Sequence, residues 1–376
     1  MLLAPELTIA PLHAGEPWIR PTPPLDAGDA AALPRILPPP RVDRRTAGSV
    51  LPPLTTDATS FQAALDAART SAGAYGITFA AVRDGRVVWT GSSGTVRDGR
   101  APLRPDSEMV IGSVTKTYVA ATILQLAEEG RLSLDDSVRE YLPERRPVSR
   151  EITIRQLMDH TSGLADLFND TTRTGLEEHP EHAWSADEVL DSLHAPWYEP
   201  GEGWAYANTN YYLLGLIVER VTDNSLADEL DRRFLAPLGL DATRMLSPTD
   251  VEGPLEPAWT TIFWASGAMT ASAADLARWG DALYGDDVLA PASRRAMKRV
   301  NDDDYGLGVQ RIEVARRTGY GHTGLLNTYT TLLMHLPAED VTIALMVNRT
   351  NVELLKMLVE RPRPDEPSLL RLAIDS

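Results

Sequence analysis

Apolar residues change their spacing repeatedly along this chain, and each change marks an element. Residues 61–71 carry the three-to-four spacing of an amphipathic helix. Residues 77–83 and 86–91 are strand-like runs joined by Asp84-Gly85, a pair that favours a tight hairpin turn. A second helix is expected over 113–130, with Val119, Ile123, Leu124 and Leu126 on its apolar side and Gly130 ending it. From about residue 140 to 259 the pattern is helical and loop-rich, clearest over 211–221 and 225–234. One more helix follows over 271–284, then strand signals at 306–314, 327–335 and 341–348. Strands at both ends with helices between them predict an α+β fold. The expected architecture is a central antiparallel sheet flanked by helices, with an all-α region inserted at about 140–265. There is no internal repeat.

The first 54 residues break this pattern. They hold 12 of the chain's 28 prolines, including Pro38-Pro39-Pro40 and Pro52-Pro53. Proline fixes φ and removes a donor, so residues 1–54 read as an extended arm and 55–376 as the folded domain. Charge narrows the partners. At −17 the chain is a poor match for nucleic acid or an anionic membrane surface. No apolar run reaches the ~20 residues that span a bilayer. Residues 1–20 lack a basic segment followed by an apolar one, which favours the cytoplasm unless the chain is already processed. With no cysteine, thiolate chemistry and disulfides are excluded, and no metal or cofactor is expected.

The chemistry begins at Ser113-Val-Thr-Lys116. Three positions apart on a helix, the two side chains share a face, and Ser113 sits at the N-terminus, where free N–H groups favour a developing alkoxide. A serine needs such help and a base. Tyr206-Ala-Asn208 follows a turn-rich loop. A nearby ammonium favours a phenolate, so Lys116 is expected to make Tyr206 a usable base, with Asn208 donating to a substrate carbonyl and accepting from Lys116. His322-Thr323-Gly324 opens the last strand region. There His322 is expected to hydrogen-bond a leaving group or a substrate carboxylate, and Gly324 to let backbone approach the substrate. The N–H groups of Ser113 and Leu325 would then form an oxyanion hole.

In this order, Ser-x-x-Lys, Tyr-x-Asn and His-x-Gly resemble the motifs of penicillin-recognising serine hydrolases. The resemblance continues in Ile152-Thr-Ile-Arg-Gln-Leu-Met-Asp-His160-Thr-Ser-Gly-Leu164, Pro237-Leu-Gly-Leu240, Ser266-Gly-Ala and Tyr305-Gly-Leu-Gly308. It covers about 290 residues, from roughly 61 to 351. It is nearest to D-alanyl-D-alanine carboxypeptidases, class C β-lactamases and related esterases. The resemblance implies a β-lactamase-like fold and an acyl-enzyme at Ser113 on a peptide, amide or ester. It makes Ser113, Lys116 and Tyr206 catalytic, and Asn208, His322, Thr323, Gly324 and Leu325 substrate-binding. His322 stands where many β-lactamases have lysine, which favours the carboxypeptidase and esterase branches. An acyltransferase or peptide cyclase is the alternative, and a non-catalytic binding protein the third reading.

Two departures concern the substrate. Gln310 occupies a position often held by an arginine that binds a terminal carboxylate, and Arg311, one place on, points to the other sheet face. Leu325 and Leu326 follow His-Thr-Gly, where a small residue is usual, and narrow or grease the site. Other signals are weaker. Gly319-Tyr-Gly-His-Thr-Gly324 lacks the helix a dinucleotide fingerprint needs. His179-Pro-Glu-His182 lacks a third metal ligand. Asp302-Asp-Asp304 reads as a solvated loop and His160 as structural. Trp264 reads as either a cleft or a core residue.

Overall fold

The Asp84-Gly85 turn closes a hairpin, with both residues at positive φ, 48° and 71°. In the computed structural model the described residues are 58–96, 99, 101–143, 151–250 and 253–376, with the backbone of Arg20–Pro21. The hairpin strands are β1 (Gly76–Arg83) and β2 (Arg86–Gly94). Four more come from the far end of the chain: β3 (Gln310–Val314), β4 (Arg317–Leu326), β5 (Tyr329–Leu336) and β6 (Val341–Val347). Together they form a six-stranded antiparallel sheet in the order β2-β1-β6-β5-β4-β3. Every residue of β6 is buried, and seven of the eight in β1 and in β5. Such runs do not alternate because helices cover both faces.

One face packs against α1 (Ala58–Ala72) and two C-terminal helices, Leu354–Val359 and Leu369–Asp375. The other carries α2 (Thr115–Glu128), α3 (Asn208–Thr222), α4 (Pro257–Gly267) and α5 (Ala273–Tyr284). The central helix is α2, buried at every position from Thr115 to Leu124. Tyr118 of α2 stacks on Trp279 of α5 with centroids 3.9 Å apart. The Trp279 indole N–H donates to Thr117 Oγ1 at 2.8 Å, so this large side chain is both packed and satisfied.

Three differences from the expected elements bear on the site. Ser113 lies in a 3₁₀ turn, Gly112–Val114, and the α-helix proper starts at Thr115. Helix α3 begins at Asn208, so Tyr206 is in the extended approach and Asn208 in the first turn. Strand β4 was not expected, because three glycines in Arg317–Leu326 lower its β-propensity. The proline-rich arm falls outside the described residues, except that the backbone of Arg20–Pro21 pairs antiparallel with Gly203–Trp204. No helix among the described residues is long and apolar enough to cross a membrane.

Trp279→Ala removes both the stack and the bond to Thr117. It is expected to lower unfolding free energy by about 3–5 kcal/mol in urea titrations. Trp279→Phe keeps the ring and should cost clearly less.

Candidate active site

The site is assembled on the segment His160-Thr-Ser-Gly. His160 takes a positive φ of 65° and is fully buried. Its carbonyl accepts from Ala205 N at 3.2 Å. Its Nδ1 accepts from Ala207 N at 3.2 Å and Asn210 Nδ2 at 2.9 Å. The ring is therefore neutral with its proton on Nε2, and burial holds its pKa well below the ordinary value. Ser162 Oγ donates to Asn210 Oδ1 at 2.6 Å. These bonds fix the loop that delivers Tyr206 and Asn208, a structural role for His160.

Lys116 is the centre. It is 0% exposed, and its Nζ lies 3.0 Å from Ser113 Oγ, 2.8 Å from Asn208 Oδ1 and 2.7 Å from the Ser266 carbonyl. Helix α4 breaks its regular geometry at Trp264, and the Ser266 carbonyl in its last turn accepts from Lys116. Burial pushes the lysine down to about 7, against the pull of the Asp166 carboxylate.

Strand β4 forms the opposite wall. A Cβ at Gly324 would lie 1.9 Å from the Ile111 carbonyl oxygen, and one at Gly112 2.8 Å from the Leu325 nitrogen. Only glycine at both places lets β4 lie directly on the turn that carries Ser113, and Gly112 also needs its φ of 51°. Leu326 and Tyr329 flank the two-residue turn between β4 and β5. They form a hydrogen-bonded pair, so the next pair, Leu325 and Thr330, is a non-hydrogen-bonded one. The Leu325 N–H thus points away from β5 on the side of Ser113, whose own N–H has no partner in the helix it opens.

These features meet in comparisons with known proteins. The family model described as Beta-lactamase matches residues 61–358. The chain belongs to the Beta-lactamase family. It has the antiparallel sheet and flanking helices of that fold. A crystal structure of a D-stereospecific amidohydrolase from Streptomyces sp. matches with 29% identity and a TM-score of 0.66, over 78% of this chain and 94% of that one. A D-amino acid amidase from Ochrobactrum anthropi SV3 shares the fold at 22% identity and TM-score 0.65, over 77% and 90%. Among curated relatives, penicillin-binding protein 4* of Bacillus subtilis is 27% identical over 287 residues, 66% of this chain and 62% of that protein. The chain spans less than two-thirds of the length of such curated relatives.

Within this family frame, several expected roles change. Lys116 lies over the face of the Tyr206 ring, 4.9 Å from its centroid, and its hydrogen-bond partners are Ser113, Asn208 and the Ser266 carbonyl instead. Burial and Asp166 push the Tyr206 phenol far up, with only the Ser113 hydroxyl favouring its ionised form. Burial thus opposes the phenolate form expected for Tyr206. His322 is 1% exposed with both nitrogens engaged. Its Nδ1 donates to the Thr323 carbonyl at 2.6 Å, so its Nε2 accepts from Tyr305 Oη at 2.9 Å. Burial and the Lys116 charge push it down to about 3. It braces the site and has no free atom for a leaving group or carboxylate. The Thr323 N–H and hydroxyl both donate to Gln310 Oε1, at 2.9 and 3.0 Å.

Arg311 pairs with Asp304, which also takes part of the expected acidic loop. Leu326 is buried, whereas Leu325 is 40% exposed and forms the apolar lip. Trp264 packs against Tyr212, centroids 5.2 Å apart. His182 bonds Glu188 in an exposed pair. Two contributors went unread in the sequence. The Ser266 carbonyl is a backbone group that no side-chain motif reveals. Asp166 follows two residues after the His160-Thr-Ser-Gly-Leu164 run, and its Oδ1 accepts from Asn208 N at 2.9 Å and its Oδ2 from Asn208 Nδ2 at 3.2 Å.

Gly324→Ala tests the wall. A methyl group there displaces β4 from the Ser113 turn and withdraws the Leu325 N–H. Acylation by an activated ester is expected to slow about 100-fold or more, with secondary structure by circular dichroism retained.

Proposed function

We propose that this chain is an amidohydrolase that acylates Ser113 with a small amide or peptide, D-configured residues being the first class to test. One observation carries the reading. A neutral lysine has two N–H donors and one lone pair. Two of the three partners of Lys116 are carbonyl oxygens, which only accept. They take both donors and leave the lone pair for the hydroxyl proton of Ser113. With its pKa near 7, Lys116 is a base matched to neutral pH.

Ser113 Oγ would attack the carbonyl carbon as Lys116 takes its proton. The Ser113 and Leu325 N–H groups would receive the oxyanion. Tyr206, held protonated, would hand a proton to the leaving nitrogen and be resupplied from the Lys116 ammonium. Water would then cleave the ester at Ser113. The neutral Thr323–Gln310 pair and the outward Arg311 support a neutral amide leaving group over a free terminal carboxylate. The names of the relatives, D-stereospecific amidohydrolase and D-amino acid amidase, support the D-residue and the amide bond.

The test combines fluorophosphonate labelling with turnover of D- and L-phenylalanine amide, read by intact mass and product analysis. Wild type should label at Ser113 and Ser113→Ala should not. A wild type that neither labels nor cleaves either amide overturns the reading. Because the base must be deprotonated, kcat/KM should fall as pH drops through about 7 and level off above it. A profile flat from pH 5 to 8 would remove Lys116 as the base.

A further inference from the structure

We infer that Asp166 is a positioning residue that fixes the orientation of the Asn208 amide and thereby aims the Lys116 lone pair at Ser113. The inference rests on the acyl-enzyme reading above. Asp166 is half-buried beside the N-terminus of α3, where the N-cap residue Ala207 supplies no side-chain cap. Its carboxylate stands in for that cap by accepting from Asn208 N. Its second oxygen accepts from Asn208 Nδ2.

A carboxylate only accepts, so it can face only the NH2 side of the Asn208 amide. The carbonyl side, Oδ1, is then compelled to face Lys116. Were the amide turned over, Nδ2 would face Lys116 instead. The neutral amine would spend its lone pair on that donor, and Ser113 would lose its base. Asp166 therefore decides, two bonds away, which way the lysine points.

Charge acts alongside geometry. The groups facing Lys116 are Asp166, the neutral rings of His160 and His322, and the faces of Tyr206 and Tyr211. Asp166 is the carboxylate that favours the ammonium. Removing its charge lowers the Lys116 pKa, so the acid limb of the rate profile moves to lower pH.

Asp166→Asn has nearly the same shape but one acceptor oxygen. Its NH2 opposes the NH2 of Asn208 and turns that amide over. The expected result is a fall in kcat/KM of about 100-fold on the high-pH plateau, with the acid limb displaced to lower pH. Only three lysines occur in the chain, Lys116, Lys298 and Lys356. Lysine-selective isotope labelling therefore reads the Lys116 ionisation by NMR without any turnover, with Lys298→Arg and Lys356→Arg for assignment. In Asp166→Asn the Lys116 signal should titrate at lower pH than in wild type.

A folded Asp166→Asn with wild-type Lys116 titration and kcat/KM within about threefold overturns the inference. A helix-capping role alone would lower Tm and leave both readouts in place, and it counts as that same failure. If Asp166→Asn does not fold, Asp166→Glu takes its place. It keeps the charge, so Lys116 should titrate as in wild type, and a titration displaced to lower pH overturns the inference. A wild type that is inert to label and substrate defeats the acyl-enzyme reading separately, and the lysine titration then still decides the role of Asp166.

Discussion

A lysine with no exposure ties together three helices on one face of the sheet. Burying an ammonium away from water costs several kcal/mol unless its donors are met. Lys116 meets them with Ser113 at the start of its own helix, Asn208 in the first turn of α3 and the Ser266 carbonyl in the last turn of α4. The last is a backbone carbonyl freed where α4 breaks its regular geometry at Trp264. Moving any one of the three helices leaves a buried donor or acceptor unmet. The active site is thus part of what holds the helical face together, and its geometry is as rigid as the core around it.

The second constraint is backbone lying on backbone. Strand β4 approaches the Ser113 turn so closely that neither Gly112 nor Gly324 has room for a methyl group. That approach puts the Leu325 N–H beside Ser113. It also explains why the strand is poor in strand-forming residues. The local preference of Arg317–Leu326 gives way to the register imposed by β5, which pairs with it from Tyr329↔Leu326 to His335↔Tyr320.

The legible parts of the sequence were those written in side-chain type and period. The Asp84-Gly85 hairpin, the apolar runs of 77–83 and 341–348 and the Ser113–Lys116 spacing each state a local geometry. Family motifs placed Ser113, Lys116, Tyr206 and Asn208 together, and the structure brings them within reach of one another. What could not be read depends on the third dimension. Strand β4 was hidden by its glycines. The Ser266 carbonyl has no signature because every residue carries one. Two effects bear on Tyr206 and His322 that a motif does not show: burial pushes the Tyr206 phenol up, and both His322 nitrogens are engaged. A phenol beside a lysine reads as a phenolate on paper, but a dry site opposes that form.

The same balance explains why Lys116 rests near 7 and neither at its ordinary value nor far below it. Desolvation is the larger effect and drives the amine towards neutrality; Asp166 opposes it. The two nearby imidazoles add no charge to this contest. Burial and the lysine's own field hold both His160 and His322 neutral. Burial pushes the Asp166 carboxyl up, opposed by the bonds it accepts from Asn208 and Phe168 and by the Lys116 charge. The lysine and the carboxyl group share a single amide between them. A proton leaving Lys116 leaves the carboxylate without its counter-charge, which limits how far the lysine can fall. That coupling ties the strength of the base to the orientation of the amide, so a single residue outside the reacting atoms governs both.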